Sequence, residues 1–410
     1  MAGFMNPTAR KRPDIENRPV QAPAKVRDLL LSPYPGITYY DIPPLKPTVY
    51  KWETAAAFFF NSIAGGAQVL AVMTDLRDSH QNRSVVRTGR YLAAAAGLLS
   101  TGLLISELHT RQRWFNMLRL FKKTSPMSIG IWSITPFVAL STLAAIGQAA
   151  EDMGYEKPGR LMGKMFGIPA AALGTVVMTY MGTELEETNI PLWASAYPLL
   201  APLYAAGGIS NAAAALQLQA EMSAAPAVQK TMLNRIALIS GTLETALAAF
   251  LGRRWTISPE SGFFKGSAYS ALYGFGFLEA GLIAPLITNL LNEGGGNREH
   301  SRFFLVGPGL KLAGGLLLQL IMIYAGNASG NQLKDYFEST QPAVTNGREK
   351  AKLPAEEKIR TAIKQDEPPV KAISSRAGSR SYFTSALAVG AAVIAGAILG
   401  ARQNRPGGRS

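Results

Sequence analysis

Cysteine is absent from all 410 residues. That excludes disulfides, thiolate zinc sites, cysteine nucleophiles and cysteine-held iron–sulfur clusters within the chain. Histidine is nearly absent too. His80, His109 and His300 are the only ones, and none sits in the middle of an apolar run. A transmembrane bis-histidine haem needs two imidazoles facing each other across helices, so this distribution argues against haem. Any redox chemistry must then use a diffusible cofactor and exchange electrons with another subunit. Charge is also scarce: 17% of residues are Asp, Glu, Lys or Arg, against roughly 25% in soluble domains. The first fifty residues are polar and proline-rich and contain no apolar segment of the kind a cleavable secretory signal needs.

What remains is apolar, with 48% of residues hydrophobic. Crossing the hydrocarbon core takes roughly 20 residues at about 1.5 Å rise each. Nine stretches qualify: Thr54–Met73, Tyr91–Ser106, Met127–Ala149, Met165–Met181, Pro191–Leu216, Leu233–Leu251, Ala268–Leu291, Phe304–Gly326 and Phe383–Ala401. These runs are too long and too continuously apolar for barrel strands, which alternate with period two. The expected fold is therefore all-α, a polytopic transmembrane helix bundle. Eight spans form a core of two four-helix halves over residues 54–326, after a polar tail at 1–53. A polar linker follows at 327–382, with a short helix near Ala355–Lys364. An accessory transmembrane helix and basic tail complete the chain at 383–410.

The net charge of +14 does not indicate nucleic acid, because the cations cluster in loops and tails beside apolar spans. Lipid headgroups or an acidic partner surface suit them better. Counted over the whole chain, Lys and Arg place the N-terminus in the cytoplasm, whereas the core loops alone lean the other way.

Ionisable groups inside apolar spans cost several kcal/mol and so invite a functional reading. Glu244, Glu279 and Lys311 are such groups. They read either as a structural ion pair, for example Glu279 with Lys311, or as a proton relay. Asn61, Gln68, Asn211 and Gln319 read as interhelical hydrogen-bond partners.

The second span ends at Glu107, followed by His109 and a basic, aromatic hinge. There Arg111, Arg113, Arg119, Lys122 and Lys123 interleave with Trp114, Phe115, Leu118 and Phe121. Wound as a helix, that spacing gives one apolar and one positive face, suited to lying along a membrane surface. Glu107 reads as a solvated helix end or as a proton-exchanging group at a quinone headgroup; reducing a quinone moves two protons with two electrons. Tyr180 sits beside Thr179 and upstream of Glu184, Glu186 and Glu187, and reads as an interfacial tyrosine or a donor to a quinone carbonyl.

Two segments resemble the NrfD-type (polysulfide reductase) membrane subunits. One runs from Ile105-Ser-Glu-Leu-His through Arg113-Trp-Phe-Asn-Met-Leu-Arg-Leu-Phe-Lys-Lys-Thr-Ser-Pro-Met to Trp132. The other runs from Tyr180-Met-Gly-Thr-Glu through Thr188-Asn-Ile-Pro-Leu-Trp193. Ala64-Gly65-Gly66 and Ile323-Tyr-Ala-Gly326 support them. The resemblance implies a quinone-binding membrane anchor in a bacterial cytoplasmic membrane, taking menaquinone or ubiquinone. It also implies a ferredoxin-like iron–sulfur partner and, through it, a molybdopterin or multihaem catalytic subunit. On this reading Glu107, His109 and Tyr180 bound the quinone site, and Arg113, Arg119, Lys122 and Lys123 dock the partner. The chain departs from the family where Glu107-Leu-His-Thr-Arg replaces the commoner Asp-Leu-Gly-Arg-Pro. It departs again at Ala57, where some relatives carry histidine, and at Gln319, where arginine is frequent. Two other classes stay open: a solute or proton transporter using Glu244, Glu279 and Lys311, and a purely structural anchor.

Overall fold

The computed structural model describes residues 45, 48–78, 81–294 and 303–340. Eight long helices run antiparallel in succession: α1 (Trp52–Asp78), α2 (Arg83–Glu107), α3 (Pro126–Asp152), α4 (Glu156–Glu186), α5 (Leu200–Met222), α6 (Ala227–Ile257), α7 (268–294) and α8 (Phe303–Gly330). A short α9 (Leu333–Thr340) follows. No strand occurs among the described residues. The expected last span, Phe383–Ala401, the helix near Ala355–Lys364, and His80 and His300 lie outside them.

Among the described residues, six helices are long and apolar enough to cross a membrane, and a seventh counts if α2 is taken with the bent segment after it. The chain is a multi-pass membrane protein. Helix α5 is not in that set, and its burial explains why. Packed against α1, α4, α6 and α8, it turns Ser210, Asn211 and Gln217 toward protein rather than lipid, and all three are buried. A central helix does not need a lipid-compatible surface.

Hydrogen bonds between helix ends define two faces. At the near face, where α1 begins, Thr54 bonds Glu107 at the end of α2. There too Tyr50 bonds Glu184 near the end of α4 at 2.9 Å, and Leu200 N at the start of α5 donates to Glu186 at 2.6 Å. At the far face, Asp75 meets Arg90 at 2.9 Å, Ser84 bonds Gln229, and Arg235 meets Glu293 at 2.7 Å.

Close helix approach rests on glycine at the seam between α1 and α5. A Cβ at Gly66 would overlap the carbonyl oxygen of Gly208, so any side chain there forces the helices apart.

Three details depart from the sequence expectation. The span expected from Pro191 is broken. Pro191–Ala194 forms a separate turn, and α5 begins only at Leu200, because Pro198 lacks an amide hydrogen and Glu186 caps the new helix. Helix α7 is π-helical over Leu272–Ile283. Finally, α8 continues to Gly330 and α9 follows, inside the segment read as linker from 327. The buried Asp335 carboxylate accepts Phe263 N at 2.8 Å and pins α9 to the bundle.

Candidate functional site

The near face gathers carboxylates and hydroxyls from four places in the chain. Tyr180 and Glu184 lie one turn apart on α4, which sets the Tyr180 hydroxyl beside the Glu184 carboxylate. A second hydroxyl reaches the same carboxylate from the segment before α1: Tyr50 Oη donates to Glu184 Oε1 at 2.9 Å. Burial and the adjacent Glu184 carboxylate push the Tyr50 hydroxyl well above its ordinary value, so it stays a donor. Glu107 stands close enough to act electrostatically on both Tyr50 and Glu184. It is held by the Thr54 hydroxyl and by Lys51 N at 3.1 Å.

The Tyr180 ring is seated by glycine. It lies directly on Gly130 in the first turn and a half of α3, where even a Cβ would collide with it. Tyr50 is placed by its neighbours. Its ring packs 6.4 Å from Phe58 and 6.2 Å from Trp193, and its carbonyl oxygen accepts Asn327 Nδ2 at 3.0 Å. Thr48 bonds the same asparagine. Residues 48–51 thus form a strap across the near ends of α1, α4 and α8.

Trp193 is fully buried, donates to Met322 O at 2.7 Å, and lies against Gly326, where a Cβ would overlap its indole. This contact accounts for the pairing of Thr188-Asn-Ile-Pro-Leu-Trp193 with Ile323-Tyr-Ala-Gly326: the two motifs form one joint beneath the site.

Of the residues read from sequence, the fold brings Glu107 and Tyr180 together through Glu184. His109 follows on the exposed loop just past Glu107. The basic hinge turns sharply: Arg111–Arg119 is 3-10 helical and bent 107° from α2. Arg113, Arg119, Lys122 and Lys123 are exposed, as are Phe115 and Phe121. Two site residues were not singled out. Glu184 could have been found from its four-residue spacing to Tyr180. Tyr50 sits outside every apolar run and carried no signal.

The mid-membrane candidates divide differently. Lys311 Nζ lies 3.1 Å from Glu244 Oε1 and 2.7 Å from Asn211 Oδ1, and both ionised groups are nearly inaccessible. Lys311 therefore pairs with Glu244, not with Glu279. Glu279 lies on the exposed side of the π-helical segment and is not brought to the pair.

A further cluster at the far face was not anticipated. Arg90, only 1% exposed, bonds Asp75 at 2.9 Å and Gln148 at 2.9 Å, with Arg83 and Arg160 on Glu151 nearby. Arg90 and Asp75 fall at the edges of apolar runs, where sequence hydropathy does not flag them. No group of three or more His, Asp or Glu suited to a metal occurs among the described residues.

A sequence model of the family described as polysulphide reductase, NrfD matches residues 44–329, well over half of the chain. The chain belongs to the NrfD family. The match begins just ahead of the strap and ends at the foot of α8, so the near-face cluster, the hinge and the buried pair all lie within it. No curated protein matches the chain significantly. NrfD membership implies a membrane subunit of a redox complex, the partner of a redox catalytic subunit.

Proposed function

We propose that this NrfD protein binds a quinone or quinol headgroup at the near face and exchanges its electrons with an iron–sulfur subunit docked there. The carrying observation is Glu184: one carboxylate receives the Tyr50 hydroxyl and stands beside that of Tyr180, with Glu107 alongside, at a membrane boundary. The donor set fits the ligand. Tyrosine hydroxyls can donate to carbonyl oxygens, and carboxylates can accept hydroxyl protons. The quinone supplies two-electron, two-proton chemistry. Tyr50 and Tyr180 would orient the headgroup, and Glu107 and Glu184 would hold or release protons there.

The exposed cations of the hinge, bent across the same face, support docking of an acidic partner. On this reading the partner is a ferredoxin-like subunit leading to a molybdopterin or multihaem catalytic subunit. Eight spans form the membrane core, residues 383–401 add a ninth, and the membrane is the bacterial cytoplasmic one. The test is quinol-dependent electron transfer by the purified complex. Glu184→Gln and Tyr180→Phe should each slow it while the partner still copurifies. Unchanged transfer in both variants refutes the assignment.

A further inference from the structure

The Glu244–Lys311 pair is surrounded asymmetrically. On its far-face side, α5, α6, α7 and α8 leave a narrow cleft with about 10 Å³ of space for water, room for a single molecule. Lys311, Ser210, Ala237, Gln217, Asn289 and Gly307 are among its walls. On each helix these residues climb in the same sense, from the level of the ion pair toward the far face. Polar groups continue the line beyond the cleft. Gln217 Nε2 donates to Asn289 Oδ1 at 3.3 Å, and Asn234 Nδ2 donates to Asn289 O and to Glu293 Oε2, each at 2.9 Å. Glu293 meets Arg235 at the surface end.

Two buried oxygens along this line have no hydrogen-bond partner among the described residues: Glu244 Oε2 at its inner end and Asn234 Oδ1 further out. Buried polar atoms without protein partners are where bound water resides.

Toward the near face the same helices carry rings instead. Trp255 and Phe277 are fully buried, Tyr273 and Phe264 are each 2% exposed, and the Trp255–Phe264 and Trp255–Tyr273 centroids lie 4.9 and 5.4 Å apart. The Tyr273 hydroxyl is tied to Ala248 O at 2.8 Å. The groups facing Glu244 are Lys311 from α8, Ser210 from α5 and Tyr273 from α7.

We infer that Glu244 is a proton-binding site reached by water from the far face alone. A proton entering by Asn234, Asn289 and Gln217 adds to the Glu244 carboxylate, which becomes a carboxyl. Lys311 keeps its ammonium, so the pair goes from neutral to singly positive, and the proton leaves by the same cleft. This site stands apart from the near-face cluster, and its test requires no quinone.

The absence of cysteine gives a clean background for the experiment. Asn289→Cys and Ala237→Cys are made in the full chain, in sealed vesicles of each orientation, and treated with a membrane-impermeant cationic methanethiosulfonate. Modification from the far face and not from the near face is expected, with Leu251→Cys, within the ring-packed layer, unmodified from either. Labelling from the near face, or none at all in both cleft variants, overturns the inference. Infrared difference spectra on a pH step should show a carboxylic C=O band that is lost in Glu244→Gln and displaced, not lost, in Glu244→Asp. A band unchanged in Glu244→Gln, or one driven by sodium at constant pH, overturns the assignment of the proton.

Discussion

Glu184 and Glu244 are both carboxylates carried on long helices, and the molecule handles them in opposite ways. Glu244 meets an ammonium at 3.1 Å in the centre of the bundle. Glu184 accepts the Tyr50 hydroxyl and stands beside that of Tyr180 at the membrane boundary, and it forms no ion pair among the described residues. An ammonium at that distance ties one helix to another. Hydroxyl donors leave a carboxylate surrounded by groups that can turn toward a ligand. The first arrangement organises helices; the second, on the proposed function, leaves room for chemistry at a bound headgroup.

The comparison is broken most severely at Lys311. Lys311→Met leaves Glu244 buried without its counter-ion and should cost roughly 3–5 kcal/mol. Most of that should return in the double variant Lys311→Met/Glu244→Gln, as read by thermal unfolding in detergent. A double variant as unstable as the single one would mean that the pair does not organise the helices. At the near face, Glu184→Gln should leave thermal stability nearly untouched and slow quinol turnover by about a hundredfold or more, the scale of a lost acid–base group. Gly130→Ala should displace the Tyr180 ring and slow turnover less, without loss of the partner subunit.

Tyr50→Phe removes one hydrogen bond, worth about 1 kcal/mol, and should slow turnover several-fold. Burial and Glu184 both raise this hydroxyl's pKa. It therefore remains a donor as pH rises, and the ratio of wild-type to Tyr50→Phe rates should stay flat up to about pH 10, where an ordinary tyrosine would already be ionising. A ratio that falls near neutral pH would contradict this. The smallest effect is expected at the hinge. Neutralising Arg119, Lys122 and Lys123 should lower the association rate of the partner and its salt dependence rather than turnover at saturation.

The helical bundle was legible from apolar runs alone, because lipid leaves so few alternatives for an unpaired backbone. Pairings between spans were not. Glu279 looked the natural mate for Lys311, since their spans are consecutive and both groups lie within apolar sequence. Which face each presents depends on helical phase, and the π-helical stretch over Leu272–Ile283 alters that phase within α7. Glu107 and Tyr180 were marked in the sequence because motif and chemistry coincided there, and the fold brings both to Glu184. Tyr50 was not, because nothing in a polar proline-rich tail marks one tyrosine as destined for a carboxylate 134 positions later. Arg90 escaped for a related reason: its buried partners Asp75 and Gln148 come from neighbouring helices, and no linear pattern couples them.

The strap has a consequence for biosynthesis. Thr48 and Tyr50 emerge from the ribosome before α1, yet both are fastened to Asn327 at the foot of the eighth helix. The ceiling over Glu184 therefore cannot close until translation has run almost the full length of the bundle. Nascent chains halted short of that asparagine should insert their helices and still leave this opening unroofed. On the proposed function, quinone loading and partner recruitment would then wait for the eighth helix.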